Sequence, residues 1–141
     1  MHVAKIAKVL LNGVLKHKPE LLQGVLGYKT TTEVLKHKRT LRSFIYEAGM
    51  LHDIGKNAIV SVVNNEYLLL TDDEFSIIRL HPHLGDIFLN AVPGWENFHD
   101  TTVGHHKWYN GKGGYPADFD NTKSPLPDRY HHAQRLSAGC Y

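Results

Sequence analysis

The residues of this chain that could do chemistry are mostly histidines, of which there are 11 in 141 residues. They cluster at three places: His52 beside Asp53 in "GMLHDIGK", His81 before Pro82 in "LTDDEFSIIRLHPHLG", and His105 with His106 in "HHKWYNGKGGYP". A carboxylate near the end of an apolar helix is costly unless a cation or hydrogen-bond donors compensate it. Neutral imidazoles and a carboxylate together suit divalent iron, manganese, zinc or similar ions, with positions left open for water. Taken singly, a His-Asp pair is most often a cap and adjacent histidines are ordinary loop residues. Their order along one chain carries the weight. "GKGG" lacks the Lys-Ser/Thr ending and the preceding strand of a phosphate-binding P-loop.

The elements that must position these residues read as helices. Val3, Ala7, Leu10, Leu11 and Val14 form one stripe that ends before Pro19, and "PELLQGVLG" reads as a short helix or turn. Thr30 and Glu33 form a capping box that opens a long second helix over 30–56, with Val34, Leu41, Phe44, Ala48 and Leu51 on its inner face and Gly55 as its stop. Thr71 and Glu74 form another, opening a helix whose Phe75, Ile78 and Leu80 face inward and which Pro82 terminates. "GDIFLNAV" and "HDTTVGHH" supply two more short helices. "IVSVV" and "EYLLL" also fit a hairpin around Asn64 and Asn65, but helices on both sides favour an all-α chain.

At 42% hydrophobic and 21% charged residues, the composition is that of one globular domain able to bury a core without staples. A metal in such a domain does chemistry rather than holding the fold. The formal charge of +2 is spread among acids except around "KHKRTLR", so a nucleic-acid duplex is not an expected partner. Lys5 and Lys8 interrupt the first apolar segment too early for a signal peptide, no apolar run is long enough to span a membrane, and a cytoplasmic chain is expected. The single cysteine, Cys140, excludes a disulfide within the chain.

The three motifs, in this order, resemble the HD-GYP branch of the HD-domain metal-dependent phosphohydrolases, over roughly residues 44–120. The resemblance implies an all-α HD-domain helical bundle with two or three divalent ions, iron or manganese, that hydrolyses cyclic di-GMP to linear pGpG or GMP. By the same resemblance His52, Asp53, His81, His105 and His106 match metal ligands, with Asp53 bridging two ions. Lys56 matches a lysine that contacts substrate phosphate. Gly113, Tyr115 and Pro116 match the loop that names the family, linked to docking of a signalling-domain partner.

The chain departs from the pattern in four places. Gly114 is an insertion in the loop, and Lys107 stands where the family usually has Glu. The family's first-helix histidine has no counterpart in register, since His2 sits directly before the Val-Ala pair. The expected final helix, with its last Asp ligand, is replaced by "SPLPDRYHHAQRLSAGCY". Reading codons from Leu126 onward at their second base permits "YRIDIITLSDCLQAAT", close to that helix. The expectation is therefore a domain over 1–120, incomplete at its C-terminus, followed by a frameshifted tail over 121–141 in which His131, His132 and Cys140 have no evolved role. Two alternatives accompany the phosphodiesterase: a catalytically impaired fragment acting as a nucleotide- or partner-binding module, and an HD-superfamily nucleotidase acting on another phosphate ester.

Overall fold

Both capping boxes are formed in the computed structural model, which describes residues 2–63, 69–108 and 112–119. The Thr30 hydroxyl accepts from the Glu33 amide at 3.2 Å while the Glu33 carboxylate accepts from the Thr30 amide at 3.0 Å. Thr71 and Glu74 repeat the arrangement. Each box satisfies amides that the first helical turn leaves without partners.

Seven α-helices follow one another along the described residues: α1 (His2–His17), α2 (Thr31–Lys36), α3 (Lys38–Leu51), α4 (Val60–Val63), α5 (Asp72–Ile78), α6 (His81–Asn90) and α7 (His99–Gly104). Short 3-10 turns connect them, including Pro19–Leu22, Ile54–Ile59 and Glu96–Phe98. Apart from one antiparallel bridge between Lys107 and Gly114, the described residues contain no strand pairing. The all-α expectation therefore holds, and "IVSVV" is helical up to Val63. Asn64, Asn65 and the tail over 121–141 lie outside the described residues.

The core lies where α1 crosses α3 and the following elements close over them. Leu11, Leu15, Val34, Leu41, Phe44, Ile45, Ala48, Leu89 and Phe98 are buried together, and the Phe44 and Phe98 rings stack at 5.2 Å. The α1–α3 crossing is tight because Gly49 has no side chain: a Cβ there would lie 2.7 Å from the Ala4 Cα. Ala4 is accordingly fully buried.

Four local readings are corrected. The long second helix breaks at His37, which closes α2 and opens α3, and its α-helical part ends at Leu51. On α1 the buried residues are Ala4, Leu11 and Leu15, so the stripe is rotated from the one expected. On α5 no side chain is buried, and Phe75 and Leu80 are exposed. Pro82 does not terminate α5; it sits in the first turn of α6, where its missing N–H costs nothing.

Candidate metal centre

Three helix ends meet at the histidines. His52 caps the C-terminus of α3, His81 opens α6, and His105 caps the C-terminus of α7. The turn Ile54–Ile59 is pressed onto α6 through two glycines: a Cβ on Gly55 would collide with the His81 carbonyl, and one on Gly85 would lie 3.2 Å from the Gly55 amide nitrogen and 2.7 Å from the Thr102 methyl of α7. This close approach brings Asp53 and Lys56 beside His81.

Each of these three rings is held in the same way. The Nδ1 of His52 donates to the Gly49 carbonyl at 3.0 Å, that of His81 to Ile78 at 2.7 Å, and that of His105 to Thr102 at 2.8 Å. A carbonyl oxygen can only accept, so each Nδ1 carries a proton, and the ring in its neutral form presents a lone pair at Nε2. All three Nε2 atoms point at Asp53.

The two oxygens of Asp53 have different surroundings. Oδ1 lies 3.2 Å from His81 Nε2 and 3.4 Å from His105 Nε2, and those nitrogens are 3.0 Å from each other. Oδ2 lies 2.8 Å from the Lys56 ammonium and 3.3 Å from His52 Nε2. Among the described residues, Oδ1 is buried yet accepts no hydrogen bond, as expected where lone pairs face it, and the buried His106 Nε2 likewise has no partner. Asp53, His81, His105 and His106 each offer one ligand atom within 4.8 Å of the others. Facing lone pairs and an unpartnered carboxylate oxygen repel unless a cation joins them. The separations of 3.0, 3.2 and 3.4 Å match the roughly 3 Å between neighbouring ligands of an ion bound at about 2.1 Å. The residues present therefore fit one or more divalent ions.

Charge states agree with that fit. Burial pushes the Asp53 carboxyl up, but its ring of nitrogen neighbours, His105, His52, His81 and then the Lys56 ammonium, more than reverses this and keeps the group ionised. Burial holds His105 below the usual imidazole range, partly opposed by Asp53. His106 is held down to about 3, by burial first and then by His105 and His81. For His105 and His106, a neutral ring beside an ionised carboxylate is the protonation state that ligation requires.

The loop after the histidine pair folds back on it. The Trp108 amide donates to the Gly113 carbonyl at 3.0 Å and the Tyr115 amide to the His106 carbonyl at 3.3 Å. Gly114 occupies the bridge to Lys107 with φ of +79°, and a Cβ there would strike the His106 carbonyl. Gly114 thus sits at a left-handed position that only glycine fills without strain. Tyr115 stacks on His106 with ring centres 4.4 Å apart, and Pro116, joined by a cis peptide, is buried. Burial and the Asp53 charge push the Tyr115 phenol up to about 12, so it stays protonated near neutrality. Outside this loop a groove of about 640 Å³ opens, with His106 at its edge.

The structure gathers His52, Asp53, Lys56, His81, His105, His106 and Tyr115 at one place, with Gly113 beneath the Trp108 ring. His2 is exposed at the start of α1. Sequence reasoning missed Gly49 and Gly85, which set the helix approaches, although both lie inside the quoted motifs. It also missed Arg79, whose guanidinium lies 4.7 Å from the Phe75 ring centre and 5.9 Å from that of Tyr115. Two further pairs, His99 with Asp86 at 2.6 Å and His83 with Asp118 at 3.2 Å, stand apart from the cluster and had no sequence signal.

The profile of a family described as HD domain matches residues 12–130. A cyclic di-GMP phosphodiesterase of Vibrio cholerae is 32% identical over 92 residues, covering 60% of this chain and 18% of that protein. A cyclic di-GMP phosphodiesterase of Pseudomonas aeruginosa is 39% identical over 70 residues, covering 49% of this chain and 17% of that protein. The chain thus spans less than a fifth of the length of these curated relatives. No solved structure matches significantly.

Proposed function

The chain belongs to the HD-domain family, and from that premise we propose that it is a metal-dependent phosphodiesterase of the HD-GYP type whose substrate is cyclic di-GMP. The observation that carries this reading is the Asp53 carboxylate with imidazole lone pairs converging on both its oxygens. Two further supports are the names of the two relatives and the presence of a lysine beside the carboxylate.

His81, His105 and Asp53 Oδ1 would form one face of a ligand shell, with His106 alongside, and His52 with Oδ2 would serve a second ion. Two histidines and a carboxylate on one face, with other positions open, favour iron(II) or manganese(II). When bound, such ions supply Lewis-acid activation of water and of the phosphoryl group. The chain's own residues do the rest. The Gly49, Ile78 and Thr102 carbonyls fix the orientation of the rings. Lys56 places an ammonium where it can offset phosphate charge. Tyr115 covers one side of His106 and, remaining protonated, is not a base.

The test is to incubate the full chain with manganese(II) or iron(II) and cyclic di-GMP, and to follow linear products by chromatography. Turnover is expected in the original chain, and Asp53→Ala should lower both bound metal and rate by more than about a hundredfold. Binding of cyclic di-GMP without hydrolysis would replace this reading by the binding module. Turnover confined to mononucleotides would replace it by the nucleotidase.

A further inference from the structure

We propose that Lys56 and a divalent ion compete for Oδ2 of Asp53, so that the centre fills in two unequal steps with the Oδ1 side first. This rests on the metal-centre reading above and adds an order of filling and a residue that sets it. Oδ1 is buried, has no hydrogen-bond donor among the described residues, and faces two imidazole nitrogens. Nothing positively charged occupies that side among the described residues. Oδ2 already holds an ammonium at 2.8 Å, the length of a charge-assisted hydrogen bond, and has one imidazole, His52, at 3.3 Å.

An ion approaching Oδ1 therefore finds several electron pairs and relieves their mutual repulsion. An ion approaching Oδ2 finds fewer ligands and meets a positive charge at contact range, in a half-buried place where water and salt screen little. Lys56 must move before that second seat can fill. It is able to, because its side chain is 31% exposed and ends a flexible four-carbon stem on the solvent side of the turn. Once displaced, its ammonium is free to face a phosphate. Filling of the second seat and availability of Lys56 to substrate are then one event.

The experiment is a manganese(II) titration of the full chain, read by equilibrium dialysis and by electron paramagnetic resonance, which separates an isolated ion from a spin-coupled pair. The original chain is expected to bind one ion with an isolated-ion spectrum, and a second at least about tenfold more weakly with a coupled spectrum. Lys56→Met should narrow the gap between the two steps by about tenfold or more, Lys56→Arg should preserve it, and His52→Ala should remove only the weaker step. Two equal steps in the original chain, an unchanged gap in Lys56→Met, or loss of the tight step in His52→Ala would each overturn the proposal. Absence of any bound manganese would overturn it together with the metal-centre reading. Two unequal steps without hydrolysis of cyclic di-GMP would support it while overturning only the substrate assignment.

Discussion

At the scale of single residues, the ring of His106 is the one ligand candidate without a carbonyl anchor among the described contacts, and Tyr115 is what holds it. Its stack at 4.4 Å uses the aromatic face, not the hydroxyl. Tyr115→Phe should therefore leave metal affinity near that of the original chain. Tyr115→Ala should weaken it by about tenfold, as measured by equilibrium dialysis. Gly55→Ala is a stronger perturbation, because the added methyl runs into the His81 carbonyl. It should destabilise the fold by at least about 1–3 kcal/mol, read from denaturant unfolding, and lower bound metal with it. The gathered histidines and Asp53 were legible through the order of three motifs along the chain and their resemblance to one family; the carboxylate near an apolar helix end added only the need for compensation. The Nδ1 anchors were not legible, since their acceptors are main-chain carbonyls that every residue possesses.

At the scale of elements, helix starts were readable and helix faces less so. A capping box is written in two residues at fixed spacing, whereas a face depends on which neighbour covers it. Phe75 and Ile78 stand three apart, a spacing suited to an inner face, yet α5 is short and buries no side chain. Its hold on the fold falls to its cap, so Thr71→Ala should cost about 1 kcal/mol of helix stability and raise hydrogen exchange along α5. The α2 cap carries a pH signature. Hydrogen bonds from the Thr30 and then the Lys29 amide hold the Glu33 carboxyl below its ordinary 4.5. A depressed carboxyl pKa means that the cap's contribution is complete above the unfolded value and is lost as pH falls through the folded one. Protection of the Lys29 and Thr30 amides, relative to their intrinsic exchange rates, should therefore fall as pH drops below about 4.5, and Glu33→Gln should remove that pH dependence. The break at His37 had no breaker residue to announce it. The rotated stripe of α1 follows from Gly49, which draws Ala4 into the crossing in place of a larger neighbour.

At the scale of the whole molecule, the all-α class followed from helical periodicity and two caps, and the core from the residues of α3. Leu41, fully buried at the centre, should cost about 2–5 kcal/mol when truncated to Ala, seen as a lowered unfolding midpoint with the metal stoichiometry of the remaining folded protein unchanged. The order of the elements, which brings three distant helix ends together, could not be read from any one segment; it follows from glycine contacts made across the chain. Those ends also decide when disorder is lost. Because His52, His81 and His105 are already tied to their own helices, an arriving ion freezes few rotors, and the entropic cost of organising the site is carried by folding instead. The ion-free fold is correspondingly frustrated, holding like-natured lone pairs together that an unfolded chain would let separate.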